Sequence, residues 1–310
     1  MQTAMQNVQR PGDYFSVSQL ESLRSISSAR STLAILHCWG VIVATWVVVS
    51  IWTNPLTLVL GVMVIGARQL GLAVLNHDGA HGLLYENRRL NDWVCEWVLS
   101  RPLTDEKVDN YRAYHLKHHA NTQQEDDPDL PLSKPFPISK ASFRRKVIRD
   151  LTGQTGWDQY GRLFSAAFKG DTLRDRLGRS WRRLGPNLLI NVVFLGCFAA
   201  AGSWYLYFVL WWLPALTWNR FIVRLRNIGE HAAVQDNDDR LRNTRTTLTS
   251  WWERALIAPY SVHYHLEHHL VVNCPHYRLA QAHSMLLAQG LREQMEIRRG
   301  YRGVLDVALH

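Results

Sequence analysis

From Ser31 to Trp52 the chain reads STLAILHCWGVIVATWVVVSIW, twenty-two residues without a formal charge. At a helical rise of about 1.5 Å per residue this length crosses roughly 30 Å of hydrocarbon, so it predicts a spanning helix. After the turn Thr53-Asn54-Pro55 a second apolar stretch runs to about Asn76. Only Arg68 and Gln69 interrupt it, near its far end, where a long side chain can snorkel to the interface. A third apolar block, 187–219, holds thirty-three residues without Lys, Arg, Asp or Glu. It is too long for one helix of ordinary tilt and long enough for two short ones that break at Gly202-Ser203. Neither block carries the polar stripe of a surface helix, which argues against buried helices of a soluble core. The pattern therefore predicts an all-α membrane protein with four transmembrane helices in two hairpins, 31–76 and 187–219.

The polar remainder divides into an N-terminal tail and interfacial segment, 1–30, and two cap segments, 77–186 and 220–310. Residues 1 to about 15 read as a flexible tail. Of the 35 Lys and Arg only Arg68 lies within a predicted span, and the tight turns near 54 and 202 carry none. By the positive-inside rule both termini and the cap are expected in the cytoplasm. No signal peptide is expected, because the first apolar run begins only at about residue 31. The stretch LNDWVCEWVLS sets Leu90, Trp93, Val94, Trp97 and Val98 on one helical stripe, and Trp251 and Trp252 open SWWERALIAPY. Both read as interfacial. The basic segment 162–183 reads either as a helix lying on anionic lipid or as a solvated face of the cap.

Composition sharpens this picture. The mean hydropathy of −0.17 looks soluble only because it averages charge-free stretches with segments crowded with Lys and Arg. The net charge is +9. The four cysteines have no CxxC spacing, so neither a disulfide framework nor a cysteine zinc finger is expected. Of 14 histidines, nine fall in three short clusters.

HDGAH sets His77 and His81 four residues apart, on one face of a continuing helix. HLKHH sets His115, His118 and His119 at i, i+3 and i+4. HYHLEHH repeats the spacing in His265, His268 and His269 and adds His263. One such pair is weak evidence; eight imidazoles at one edge of the spans are much stronger. Neutral rings need hydrogen-bond partners there and protonated rings repel, and metal coordination relieves both costs. One ion takes three or four such ligands, so the count implies two ions, although imidazole suits Fe, Zn, Cu and Ni alike. In RNIGEH, His231 follows Asn227 by four residues at the expected exit of the last span, level with His77, and Asn227 could hold a metal-bound water. The acidic run 125–129 lacks EF-hand spacing and reads as a solvated turn.

An HxxxH and two HxxHH boxes separated by a membrane hairpin resemble the integral-membrane fatty-acid desaturase and hydroxylase superfamily, in its short bacterial acyl-lipid form. The surrounding text HDGAHGLLYENRRLND, HLKHHANTQQEDDPDL, GEHAAVQDNDDRLRNTRTT and APYSVHYHLEHHLVVNCPHYRLAQAH carries the likeness from about residue 30 to 285. The resemblance implies two iron ions and O2 as co-substrate. Its ligands carry over to His77, His81, His115, His118, His119, His231, His265, His268 and His269, with Asn227 reaching one ion through water. No residue beyond this metal centre is assigned a catalytic role. Asp78, Glu230 and Glu267, each beside a ligand, are candidates to orient an imidazole; His263 has no secure place in the pattern and is expected to do the same or to be structural.

The implied reaction removes two vicinal hydrogens from an acyl chain carried as a lipid or a thioester. HDGAH with a nearby LND also resembles carotenoid ketolases, so a lipid or carotenoid hydroxylase or ketolase with the same irons is the alternative. A transporter would place polar ligands near the bilayer midplane, where this sequence has almost none. No fused haem segment, cysteine quartet or GxGxxG is present, so electrons are expected from an external ferredoxin-like or cytochrome b5-like donor. The basic cap would attract such a donor, membrane lipid or thioester phosphates, and is not assigned to nucleic acid. The bacterial inner membrane is the implied location.

Overall fold

The computed structural model describes residues 10–310, which are mostly helical. Among the described residues three helices are long and apolar enough to cross a membrane: Ser28–Ile51, Pro55–Ala80 and Leu173–Ala200. The second is the central one, with 61% of its apolar window buried against 22% and 11% for the other two. Asn54 caps its start by accepting from Leu56 N and Thr57 N at 3.1 Å each, and Pro55 occupies its first turn, where a missing N–H costs nothing. Glycines let neighbours close on this helix. A Cβ at Gly71 would lie 2.8 Å from the Tyr260 ring, and one at Gly79 only 2.0 Å from Cys95 Sγ. The outer faces of the flanking helices expose Leu33, Leu36, Val43, Leu188, Leu189 and Val192, the apolar surface a bilayer would cover.

Several expectations are corrected. Arg68 does not snorkel: it is buried, donates through Nη2 to Ala255 O at 2.7 Å and lies over the Tyr260 ring. A buried cation needs a polar partner, and the cap supplies one where the helix passes beneath it. Leu173–Ala200 begins well before residue 187, so the second half of the basic segment is collinear with the apolar helix and not a separate element. Pro186 sits inside it. Past Gly202, whose φ of +72° makes the turn, the chain is helical through Tyr205–Tyr207, Phe208–Trp212 and Leu213–Leu216 and resumes at Trp218–His231. This fourth stretch is broken at Thr217 and contains a π-helical turn, so it does not form one long apolar helix.

The cap is not purely helical: Thr246–Leu248 and Ile297–Arg299 pair as a short parallel ladder. Residues 1–9 of the expected tail lie outside the described residues, but Pro11–Tyr14 is helical, and Phe15 and Leu23 are buried in a cap core with Leu266, Leu270 and Leu286. The stripe at 90–98 is split by a π-turn, Cys95–Ser100, leaving Leu90, Trp93 and Trp97 exposed and Val94 buried. Trp251 and Trp252 are both exposed.

Candidate metal centre

Two short helices and two helix ends deliver the histidines. His77 and His81 close the Pro55–Ala80 helix; His115, His118 and His119 lie on Val108–Ala120; His231 ends Trp218–His231; and His265, His268 and His269 lie on His265–Leu270. The end of Trp218–His231 is held by Arg245, which is fully buried and paired with the equally buried Glu296 at 3.1 Å. Its Nη1 donates to Ile228 O at 3.1 Å, and its backbone N donates to Glu230 O at 3.0 Å. Gln123 Nε2 donates to His231 O at 2.6 Å. Ile228 O also accepts from Ala232 N at 3.2 Å, whereas the Glu230 and His231 carbonyls lie past the last helical N–H and are satisfied by these donors.

The nine imidazoles meet as two adjacent groups that could each hold a metal ion: His77, His81, His115, His119 and His268, and His118, His231, His265 and His269. Within each group the ligand-capable atoms lie within 4.8 Å of one another. In each HxxHH the first and last histidines join one group and the middle one joins the other. Residues i and i+4 differ by about 40° around a helix, whereas i+3 points about 100° away from i+4, so one box faces two sites.

Several Nε2 atoms converge: His119 with His115 at 2.9 Å and with His268 at 3.0 Å, and His265 with His231 at 2.8 Å and with His269 at 3.0 Å. One N–H cannot serve two such neighbours, while an ion bonded to each nitrogen at about 2.1 Å would set ligands at right angles roughly 3 Å apart. The Nε2 atoms of His77 and His81 are buried without any hydrogen-bond partner. Burial, reinforced by the neighbouring imidazoles, holds His115, His119, His265, His268 and His269 well below the ordinary imidazole range, so the rings are neutral donors. This donor set fits metal ions.

The outer nitrogens show what orients the rings. His118 Nδ1 donates to Asp127 at 2.7 Å, and Asp127 also accepts from Gln123 N and Asp129 N, both at 2.8 Å. The acidic run is therefore not a solvated turn throughout. Asp127 is buried, and only the fold of the loop reveals it, since nothing in its spacing points to His118. Thr122 Oγ1 lies 3.1 Å from His269 Nδ1, a second contact that sequence reading missed.

Asp78 is 3.8 Å from His77 Nδ1, but its short hydrogen bonds come from the N and Nδ1 of His276, at 2.9 and 2.7 Å. Glu230 accepts from Arg226 at 2.5 Å and lies 3.5 Å from His265 Nδ1. Burial pushes Glu230 up to about 7, against the Arg226 guanidinium that pulls it down. Two candidates fall away from the rings. Glu267 points to His283 Nδ1 and Thr246 Oγ1, both at 2.6 Å, and fastens the helix rather than an imidazole. His263 is buried against Tyr264, outside both groups. Asn227 lines a cavity of about 70 Å³ with Tyr111, Arg226, Glu230, His118 and His265.

Such a constellation, a buried cage of imidazoles at the end of the central helix of a chain with three membrane-span candidates, defines a class of membrane protein built around a potential metal site. The fatty acid desaturase family profile matches residues 50–301, and the chain belongs to that family. Membership makes it an oxidoreductase. It is similar to the dihydrorhizobitoxine desaturase of Bradyrhizobium elkanii, with 26% identity over 254 residues, 76% of this chain and 68% of that protein.

Proposed function

We propose that this chain is a membrane-bound, O2-dependent desaturase that takes two vicinal hydrogens from an unactivated fatty-acyl chain, with electrons from an external carrier. The observation that supports this most is the convergence of nine imidazoles into two adjacent groups, which provides for two ions, with iron indicated by the family. Bound there, an iron pair supplies the O2 chemistry that an unactivated methylene requires and that side chains alone cannot perform.

The protein's own part is to shelter the ligand rings from water and to aim them. Burial does the first. Asp127 and Thr122 do the second for His118 and His269, and Glu230, pinned by Arg226, faces His265. Asn227 lines the cavity against the second group, from where it would hold a water beside a bound ion. In this reading four crossings bring the histidines to the cytoplasmic edge of a bacterial inner membrane, the fourth formed by the broken helices after Gly202. The acyl chain is the family's substrate class; the relative's name specifies dihydrorhizobitoxine instead, so the carrier and chain are for product analysis to identify.

The test is expression in a host lacking such activity, with profiling of lipids and acyl thioesters and iron analysis of the purified protein. Products lighter by two hydrogens, absent with His268→Ala, and about two irons per chain are expected. A retained oxygen in the product overturns desaturation in favour of hydroxylation. Unchanged products from His268→Ala overturn the site.

A further inference from the structure

We propose that the groove between helices Gln154–Ala167 and Leu173–Ala200 is a binding site for one anionic membrane phospholipid, separate from the histidine cage. The groove encloses about 280 Å³ and is lined by Leu163, Phe164, Phe168, Leu184, Leu188 and Tyr207, among others. It shares no lining residue with the three described cavities that abut the histidines.

Its polar floor is largely satisfied from within the protein. Tyr207 O–H donates to Asn191 Oδ1 at 2.9 Å, Trp212 Nε1 donates to Tyr207 at 2.6 Å, and Asn187 Nδ2 donates to Arg101 O at 2.8 Å. The groove therefore offers an occupant mainly hydrocarbon surface. Its rim is exposed, with Phe168 at 52% and Leu188 at 58%, and Leu188 continues into the exposed row Leu189, Val192 and Val193 of the membrane-span candidate. The occupant thus comes from the bilayer side.

Charge selects which lipid. Residues 162–183 carry Arg162, Lys169, Arg174, Arg176, Arg179, Arg182 and Arg183 against Asp171 and Asp175, a balance of seven cations to two anions. Arg183 is paired with Asp105, and Arg176 donates to Gly170 O, whereas Arg179 and Arg182 are exposed within about two turns of Leu184 on the same helix. Trp181, 71% exposed, stands among them as an interfacial anchor. A chain in the groove would set its phosphate at this level, where each cation near an anionic surface contributes attraction.

The experiment is native mass spectrometry of the full-length protein, released from nanodiscs of equal phosphatidylcholine and phosphatidylglycerol, beside a sample offered free oleate. One phosphatidylglycerol per chain should survive release. Filling the groove with Leu163→Trp, or independently with Leu188→Phe, should remove it while the thermal midpoint stays near wild type. Arg179→Glu with Arg182→Glu should cut the preference for phosphatidylglycerol about ten-fold or more. Equal retention of both phospholipids, retention of oleate in their place, or lipid counts unmoved by both groove variants overturns the site. The readout is lipid mass and not turnover, so its failure is distinguishable from failure of the desaturase reading.

Discussion

The two histidine groups use the same boxes but are braced differently. In the four-ring group the outer nitrogens of His118, His269 and His265 meet Asp127, Thr122 and Glu230, and the helix end carrying His231, whose Nδ1 is buried without a partner, is pinned by the buried Arg245–Glu296 pair. In the five-ring group Asp78 spends its short hydrogen bonds on His276, and His119 Nδ1 is buried without a partner. A site with four ligands depends on each being aimed. A fifth ring and the rigid end of the central helix relax that demand in the other.

This contrast can be broken by experiment. His265→Ala should do the most damage, removing desaturation and leaving about one iron per chain, while His81→Ala should retain more metal because four rings remain; equal iron loss in both would end the asymmetry. Arg245→Met should follow, costing about 1–3 kcal/mol by leaving Glu296 with only the part-exposed Arg298 at 3.0 Å and the helix end without its side-chain donor. Denaturation in detergent measures this, and loss of the four-ring ion should precede loss of the other.

Asp127→Asn should weaken metal retention by the four-ring group about 10–100-fold, with Asp78→Asn weaker in effect on the five-ring group, as read by chelator competition. Gly79→Ala presses a methyl onto Cys95 and should destabilise the fold by about 1–3 kcal/mol, with the five-ring group the first to lose metal.

The smallest effect is on the metal-free protein on mild acidification. Burial holds His231, His265 and His269 below the ordinary imidazole value, so the unfolded chain takes up protons below about pH 6.5 that the fold refuses. Their contribution is intact above pH 6.5 and is lost progressively as pH falls towards their lowered values. Thermal midpoints from pH 8 to 5.5 should fall, and a rise would show that the rings are not buried neutral.

Two kinds of feature were legible before folding. Hydrophobic runs gave the span candidates to within a few residues at Ser28–Ile51 and Pro55–Ala80, because a charge-free helix of that length has few alternatives. The third was misjudged at its start because its first turns are basic, and charge was taken as a boundary although the helix continues through it. Asp127 was passed over because it meets His118 through a loop that turns back, a relation no period encodes. Glu267 looked placed to orient a ligand because it stands next to His268 in sequence, but adjacent side chains on a helix point about 100° apart.

The chain alone determined that eight histidines stand in three boxes at helical spacing, since side chains four apart on a helix must share a face. Tertiary structure alone decided how they divide. The rotation of each HxxHH helix sends its middle ring to one group and its outer rings to the other, and packing of the cap brings Asp127, Thr122 and Arg245 to brace them. Spacing fixes direction within an element; only contact between elements fixes what lies in that direction.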